Sequence, residues 1–262
     1  MSSIVGALQR YDSLSRRIEE AGLNNLHTRR QLVYDGWLLF LSPGRAKRAR
    51  SVNAFFGSTL AVDEKIAHCE RIYTERGLPL LFRITPFVQP SSLDDALASR
   101  GYVAFDETLV QLCTLEQPPP GNERSDVFVE RVDLQAFVET IGECRGSDVT
   151  QRIAHLERLA HSPLDVRPLV ARGERTVLGG GMISIQDDIA GVFDVFTVPS
   201  MQRRGIATVV VSHLLMDAWR RGARHFYLQV GAGNAAAIGM YRKFGFATSY
   251  RYHYRAREGD VE

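Results

Sequence analysis

The strongest hydrophobic pattern in the chain lies between residues 206 and 220. Apolar side chains recur there every three or four positions and form one wide stripe: Val210, Val211, Leu214, Leu215, Ala218 and Trp219. This spacing predicts a helix whose stripe packs on a sheet. Six further helices are predicted, over residues 4–21, 62–76, 92–100, 134–144, 151–160 and 235–243.

Alternating or continuous apolar runs predict strands in both halves of the chain. In the first half they cover residues 37–41, 50–55, 80–84 and 103–115. In the second half they cover residues 127–132, 167–171, 177–185, 189–198, 225–230 and 247–254. The strand at 177–185 contains Gly179-Gly180-Gly181, which indicates a weak point or a β-bulge. This mixture of strands and helices predicts an α/β protein of mixed α+β character.

A proline-rich segment separates two stretches of similar length. Residues 118–120 are three consecutive prolines, which cannot continue a helix or a central strand and favour an extended linker. We therefore predict a first domain over residues 1–117, a linker over residues 118–125 and a second domain over residues 126–262.

The two halves repeat one order of elements. In each, a helix ends at an Arg-Gly pair and is followed by a strand, a helix and a Gly-aromatic pair. Gly222 lies 145 positions after Gly77, and Gly245 lies 144 positions after Gly101. Agreement of both the order and the spacing indicates an internal duplication.

Composition and charge exclude several classes of protein. The 262 residues are 45% hydrophobic and 24% charged, unlike a fibrous or disordered chain, and the net charge of +2 lacks the excess of a nucleic-acid binder. No apolar run approaches the roughly 18 residues of a membrane helix, and no signal peptide is predicted. The three cysteines are widely spaced, so neither disulfides nor a metal site is expected. We expect a cytoplasmic protein without membrane or nucleic-acid partners.

A basic, glycine-containing turn joins the strand at 189–198 to the helix at 206–220. Its sequence is Gln202-Arg203-Arg204-Gly205-Ile206-Ala207. A glycine lets a ligand approach the main chain, and the first turn of a helix leaves N–H groups unpaired where the helix dipole favours an anion. The turn therefore predicts a pyrophosphate site, although a structural glycine between solvated arginines is the alternative.

A second motif follows within residues 233–246, and its members are Asn234, Ala237, Tyr241, Gly245 and Phe246. Together with Thr197-x-Pro199-x-x-Gln202-x-x-Gly205-x-Ala207, it resembles the GNAT superfamily of acyl-CoA-dependent N-acetyltransferases over about residues 126–254. The resemblance implies tandem GNAT-like domains, each a mixed, mostly antiparallel sheet flanked by helices. It also implies that the second domain is catalytic and the first a degenerate copy.

The resemblance implies a set of contacts with acetyl-CoA, the acyl donor. The main chain of Val195, Phe196 and Thr197 would pair with the pantetheine arm like an added strand. The amides of Gln202, Arg203, Arg204, Gly205, Ile206 and Ala207 would hold the pyrophosphate, with Thr208 just inside the helix. Ala207 stands where many members have a second glycine. Asn234 matches an asparagine near the pantetheine and fits a helix N-cap equally well.

Tyr241 matches the tyrosine that protonates the departing CoA thiolate in many members, while packing of a helix on the sheet is its alternative role. A general base is not identified. Strand alternation back from Thr197 reaches Val195, Phe193 and Gly191, none of which accepts a proton, and it turns Asp194 to the other face. Glu143 and Asp148 are further candidates, but surface solvation explains both.

The leading interpretation is an N-acetyltransferase that transfers an acetyl group from acetyl-CoA to the amine of a small molecule or peptide by direct attack. A non-catalytic CoA-binding sensor or partner-binding module is the alternative, and a tyrosine at the sulfur favours the enzyme. Aligning the two halves places Leu97 opposite Tyr241 and Leu60 opposite Gly205. We therefore expect one acetyl-CoA site in each chain, in the second half.

Overall fold

The computed structural model describes residues 13–26, 28, 30–43, 46–174 and 176–261. Its helices are α1 (Ser13–Asn24), α2 (Val62–Thr74), α3 (Leu93–Ser99), α4 (Leu134–Arg145), α5 (Val149–Ala160), α6 (Ile206–Arg220) and α7 (Ala235–Arg242). Its strands are β1 (Gln31–Tyr34), β2 (Trp37–Phe40), β3 (Ser51–Asn53), β4 (Leu81–Ile84), β5 (Val103–Thr114), β6 (Phe128–Arg131), β7 (Asp165–Arg172), β8 (Val177–Gln186), β9 (Ile189–Thr197), β10 (His225–Gly231) and β11 (Ala247–Ala256).

These elements follow the predicted ones to within a few residues, with two differences. Residues 4–12 of the first predicted helix lie outside the described residues, and its remainder forms α1. Strand β1 is not among the predicted strands. Its apolar residues Leu32 and Val33 are both exposed, so the segment carries neither a buried run nor a clear inside-outside alternation.

The described residues divide into two compact units. The first unit comprises residues 28–110, 231–233 and 250–261, and the second comprises residues 13–26, 111–230 and 234–249. This partition differs from the boundaries proposed around the proline-rich linker. The physical reason is strand pairing: β11 is antiparallel to β4, with His253 opposite Ile84 and Arg255 opposite Phe82, so the end of the chain belongs to the first unit.

The first unit is built on a mixed sheet. Strands β1, β2 and β3 are antiparallel neighbours, β3 and β4 are parallel, and β4 and β11 are antiparallel. Side chains of β2, β4 and α2 form its core, among them Trp37, Leu39, Ile66, Tyr73 and Phe82, which are almost completely buried.

The second unit repeats this arrangement. Strands β6, β7, β8 and β9 are antiparallel neighbours, and β9 and β10 are parallel. Helix α6 contacts β7, β8 and β9. Val210, Leu214 and Ala218 of its predicted apolar stripe are fully buried. Both units are thus mostly antiparallel sheets flanked by helices, as predicted.

The repeated glycines adopt the same backbone conformation in both units. Gly101 and Gly245 are left-handed, with φ of 79° and 87°. The main-chain hydrogen bonds beside them also correspond: Tyr102 N–H donates to Leu97 O at 3.1 Å, and Phe246 N–H donates to Tyr241 O at 3.4 Å. Helix ends closed in this way favour glycine, because other residues are strained there. The alignment of Leu97 with Tyr241 is therefore confirmed.

None of the described helices is long and apolar enough to cross a membrane.

Candidate active site

Strands β9 and β10 diverge at one end. Their parallel register runs from Ile189 opposite His225 to Val192 opposite Leu228, although β9 continues to Thr197. The last residues of β9 remain paired with β8 on their other side, where Phe196 lies opposite Gly180. The edge of β9 that faces away from β8 therefore offers main-chain groups to an extended ligand.

A β-bulge interrupts β9 just before this edge. Phe193 lies opposite Met182 and Phe196 lies opposite Gly180, so three steps along β9 match two along β8. The extra residue is accommodated at Asp194, whose φ is 50°. Strict alternation from Thr197 back to Gly191 is therefore wrong, because the bulge places Phe193 on the same face as Phe196.

The glycine run on β8 explains how β8 and β9 fit together beside the bulge. A Cβ on Gly179 would lie 2.5 Å from Phe196 O, and one on Gly180 would lie 2.7 Å from Leu169 O. Such contacts are impossible without movement of the main chain. The run is thus required by close strand approach, and the predicted bulge lies opposite it on β9.

The loop before α6 carries main-chain groups suited to an anion. Gln202 N–H donates to Pro199 O at 3.3 Å, so this amide is already engaged. From the sequence it was predicted to be among the amides that hold the pyrophosphate. Arg203 and Gly205 are left-handed, with φ of 61° and 80°. The first helical bond runs from Val209 N–H to Gly205 O at 3.1 Å. The amides of residues 206–208 precede that bond and remain for a ligand.

Side chains leave the loop open. Arg203, Arg204 and Gly205 are exposed, while Ile206 is almost fully buried and anchors the start of α6. Ala207 and Thr208 are partly exposed. Among the described residues, a Cβ on Gly205 would meet only the Nη1 atom of Arg124, at 3.7 Å. Space for a phosphate is therefore present above the loop.

Arg124, which the sequence analysis counted as part of the linker, lies beside this loop. Its guanidinium donates to Arg204 O and is held by the carboxylate of Asp126, with Nε–Oδ1 at 2.9 Å and Nη2–Oδ2 at 2.6 Å. The hydrogen bond that Arg124 donates to Asp126 raises the pKa of Arg124. A fixed positive charge therefore adjoins the loop. An arginine followed two positions later by an acidic residue is a common pattern, so the sequence alone could not show that Arg124 lies beside the loop.

Asn234 caps α7. Its Oδ1 accepts the N–H of Ala237 at 3.1 Å, which confirms the capping role. The side-chain NH₂ group is not used in this bond, so Asn234 can still donate to a ligand.

Tyr241 lies on α7 and is 8% exposed. Its ring packs edge-on against Phe246, with 5.8 Å between centroids, so the packing role is real. Burial raises the pKa of Tyr241 to about 12. Within the described part of the chain its hydroxyl has no hydrogen-bond partner. It is therefore a protonated donor at neutral pH.

The two other carboxylates considered as bases have structural or solvated positions. Asp148 caps α5, where its Oδ1 accepts the N–H of Gln151 at 2.8 Å. Glu143 is exposed on α4. Among the described residues no cluster of three or more His, Cys, Asp or Glu side chains is placed to hold a metal.

In the first unit, the loop before α2 corresponds to the loop before α6, and the side chain of Asp35 binds its amides. The amides of Thr59 and Leu60 donate to the carboxylate of Asp35 at 3.0 and 2.9 Å. Helix α2 begins after Ala61, whose φ is −61°. Ala61 rather than Leu60 is therefore the counterpart of Gly205. The amides just before this helix are thus taken by a residue of the chain itself.

Comparison with known proteins agrees with this geometry. The model of the acetyltransferase (GNAT) family matches residues 134–246. The chain is 25% identical over 224 residues to "Uncharacterized N-acetyltransferase YobR" of Bacillus subtilis (strain 168), covering 84% of this chain and 90% of that protein.

Two solved structures share the fold. A GCN5-related N-acetyltransferase from Kribbella flavida has a TM-score of 0.70 at 17% identity, covering 93% of this chain and 95% of that one. A tandem GNAT protein from the clavulanic acid biosynthesis pathway has a TM-score of 0.62 at 12% identity, covering 74% and 68%.

The matched segment holds the bulged strand, the open loop and Tyr241. The fold around it is that of tandem GNAT proteins. Residues 134–246 therefore form an acetyltransferase domain of the GNAT family, and the chain is an acetyl-CoA-dependent acyltransferase.

Proposed function

We propose that the chain transfers the acetyl group of acetyl-CoA to a primary amine by direct attack, with both substrates bound at once. The observation that carries this proposal is the continuity between two features: the free edge of β9 beyond Val192 leads directly into the open amides at the start of α6. An extended arm ending in a pyrophosphate matches both features together.

Each part of acetyl-CoA has complementary groups in this arrangement. Main-chain groups of residues 195–197, with the amide side chain of Asn234, hold the pantetheine arm. Amides of residues 203–208 hold the pyrophosphate. The charges of Arg124, Arg203 and Arg204 complement its negative charge. Gln202 has its amide engaged, so only its side chain remains available.

Acetyl-CoA supplies an activated acyl group as a thioester. Tyr241 donates its hydroxyl proton to the sulfur as the thiol leaves. The raised pKa of Tyr241 keeps this proton in place at neutral pH, and an unpartnered hydroxyl is free to turn toward the sulfur. The acceptor is the neutral amine of a small molecule or a peptide.

A CoA-binding sensor is the second candidate, because the open loop alone accounts for CoA binding. The hydroxyl of Tyr241, which bonds to no other described residue, favours the enzyme. A binding module has no use for a proton donor beside the sulfur.

A screen of amines with acetyl-CoA tests the proposal through release of free CoA thiol. Small amines, polyamines, aminoglycosides and peptides with free N-termini form the panel, and calorimetry measures CoA affinity separately. Turnover of one class of amine is the expected result. Tight CoA binding without turnover of any amine would support the sensor instead.

A further inference from the structure

His155 and Asp194 form a hydrogen-bonded pair on the face of the sheet that α4 and α5 cover. Nε2 of His155 lies 3.0 Å from Oδ2 of Asp194, and Nη1 of Arg145 lies 3.1 Å from Oδ1. The side chains of His155 and Asp194 are 14% and 19% exposed. Phe196 faces the same helices, since its ring packs against Phe137 of α4 at 6.2 Å between centroids.

The bulge is what turns Asp194 toward these helices. Its left-handed backbone, with φ of 50°, is a conformation that aspartate adopts more readily than most residues. Burial alone would raise the pKa of Asp194, but the hydrogen bond from His155 and the charges of His155, Arg145 and Arg158 hold it well below its usual range. Asp194 is therefore a carboxylate at neutral pH.

This carboxylate decides which nitrogen of His155 is basic. An ionised carboxylate only accepts hydrogen bonds, so Nε2 carries the proton of the neutral ring. Nδ1 is then the atom with a free lone pair. It has no hydrogen-bond partner among the residues that the structure describes. A neutral imidazole held by a carboxylate, with its second nitrogen free, has the chemistry of a general base.

The pair lies where the reacting end of acetyl-CoA is expected. This step rests on the proposed function, in which the arm runs back from α6 along Thr197, Phe196 and Val195. Each residue of a strand advances about 3.3 Å. The residue next in that direction is Asp194, and Val192, where β9 and β10 come together, follows two positions later.

We propose that His155 is the general base of the reaction and that Asp194 is its positioning residue. Nδ1 of His155 takes a proton from the attacking amine as the new N–C bond forms. The C–S bond breaks, and the sulfur receives the proton of Tyr241. His155 then returns its proton to solvent and Tyr241 regains one, so the products are an N-acetylated amine and free CoA.

Histidine NMR on the full chain locates the pair relative to the ligand. Signals of His155 are assigned by their loss in His155→Gln, and three probes are compared: ADP, CoA and acetyl-CoA. Acetyl-CoA and CoA should shift the His155 signals by different amounts, while ADP, which lacks the arm, should leave them unchanged. The free protein should show the proton on Nε2.

Kinetics of the best amine of the screen test the role. His155→Gln should lower turnover about 10²-fold or more without a change in acetyl-CoA affinity. His161→Gln, at the exposed end of the same helix, is the matched control and should keep full activity. Asp194→Asn keeps the left-handed backbone but replaces the carboxylate that fixes the proton on Nε2 with an amide. It should lower kcat while the KM for acetyl-CoA is unchanged, and NMR should show that the proton of His155 is no longer confined to Nε2.

The possible outcomes separate this inference from the function on which it rests. Acetyl-CoA that binds without moving the His155 signals, or full turnover by folded His155→Gln, would overturn the assignment of the base and leave the acetyltransferase intact. Failure of the wild-type chain to bind acetyl-CoA would overturn the proposed function itself.

Discussion

Lys65 is completely buried against Asp35 in the first unit, with its Nζ atom 3.3 Å from Oδ2 of the carboxylate. The ammonium group also donates to Asp35 O and Ser58 Oγ and lies 4.2 Å from the centre of the Trp37 ring. The same carboxylate accepts from the amides that precede α2. One aspartate thus binds the loop amides just before the helix, and one lysine neutralises it.

We expect Asp35→Asn to lower the thermal midpoint of unfolding. Hydrogen bonds from the amides of Leu60 and Thr59 hold the pKa of Asp35 below its usual range. Such a depressed pKa stabilises the fold above the unfolded value of about 3.9, and the contribution is lost as the pH falls toward the folded pKa. Asparagine tolerates the φ of 41° at this position, so the change tests the charge.

The difference in midpoint between wild type and Asp35→Asn should be largest near pH 7 and should shrink below about pH 4. Calorimetric scans across this range give the comparison. A difference that is independent of pH would show that the charge of Asp35 does not support the loop.

Gly205→Val should abolish detectable acetyl-CoA binding. The left-handed backbone at Gly205, with φ of 80°, disfavours a branched residue, and the new side chain would enter the space above the open amides. Isothermal calorimetry with acetyl-CoA measures the loss, and circular dichroism checks the fold.

Gly222→Val is the matched control for this change. Gly222 has φ of 99°, and a Cβ there meets nothing within 4 Å among the described residues. It carries comparable backbone strain without touching the loop. Loss of stability with unchanged affinity is expected for Gly222→Val, and equal loss of affinity in both variants would mean that strain rather than the loop explains the result.

Features encoded by neighbouring residues could be predicted from the sequence, as α6 and its loop show. The apolar stripe and Gly205 are local signals: most of the stripe is buried, and Gly205 adopts a left-handed conformation at the start of α6. The bulge at Asp194 could not be placed on β9, because it depends on the register against β8. The contact of Asp35 with Thr59 joins a hairpin tip to a loop 24 positions away in the sequence. A pattern of neighbouring residues could not predict it.

We expect Tyr241→Phe to lower turnover by about 10²-fold or more while acetyl-CoA affinity is retained. Phenylalanine preserves the packing against Phe246 and removes only the proton donor. Steady-state kinetics with the best amine of the screen measure both parameters. Because burial raises the pKa of Tyr241 to about 12, its loss of a proton should not limit turnover below about pH 10.

Tyr73→Phe provides the control for a lost tyrosine hydroxyl. The hydroxyl of Tyr73 donates to Phe40 O at 2.7 Å inside the first unit. Its removal should cost about 1 kcal/mol of stability and leave turnover unchanged. Near-normal turnover by Tyr241→Phe would instead assign Tyr241 to packing alone.

Arg124→Ala should weaken acetyl-CoA binding about three- to tenfold, and the loss should diminish at high salt. The change removes both the cation beside the loop and the hydrogen bond to Arg204 O. Arg131→Ala is the control, since Arg131 pairs with Asp217 near the other end of α6 and no contact with the described residues of the loop is seen. Equal effects of the two substitutions would indicate only a general change in surface charge.

One acetyl-CoA molecule should bind to each chain, at the loop before α6. In the first unit the carboxylate of Asp35 occupies the amides of the corresponding loop, and Leu97 stands where Tyr241 carries the proton donor. Asp63 and Glu64 in the first turn of α2 would repel a pyrophosphate as well. Titration calorimetry should therefore give one site in the wild type and none in Gly205→Val. Two equivalent sites, or CoA located between residues 55 and 66 in a crystal structure, would contradict this expectation. Either result would mean that the ligand displaces the carboxylate of Asp35 from the loop amides and that both units bind acetyl-CoA.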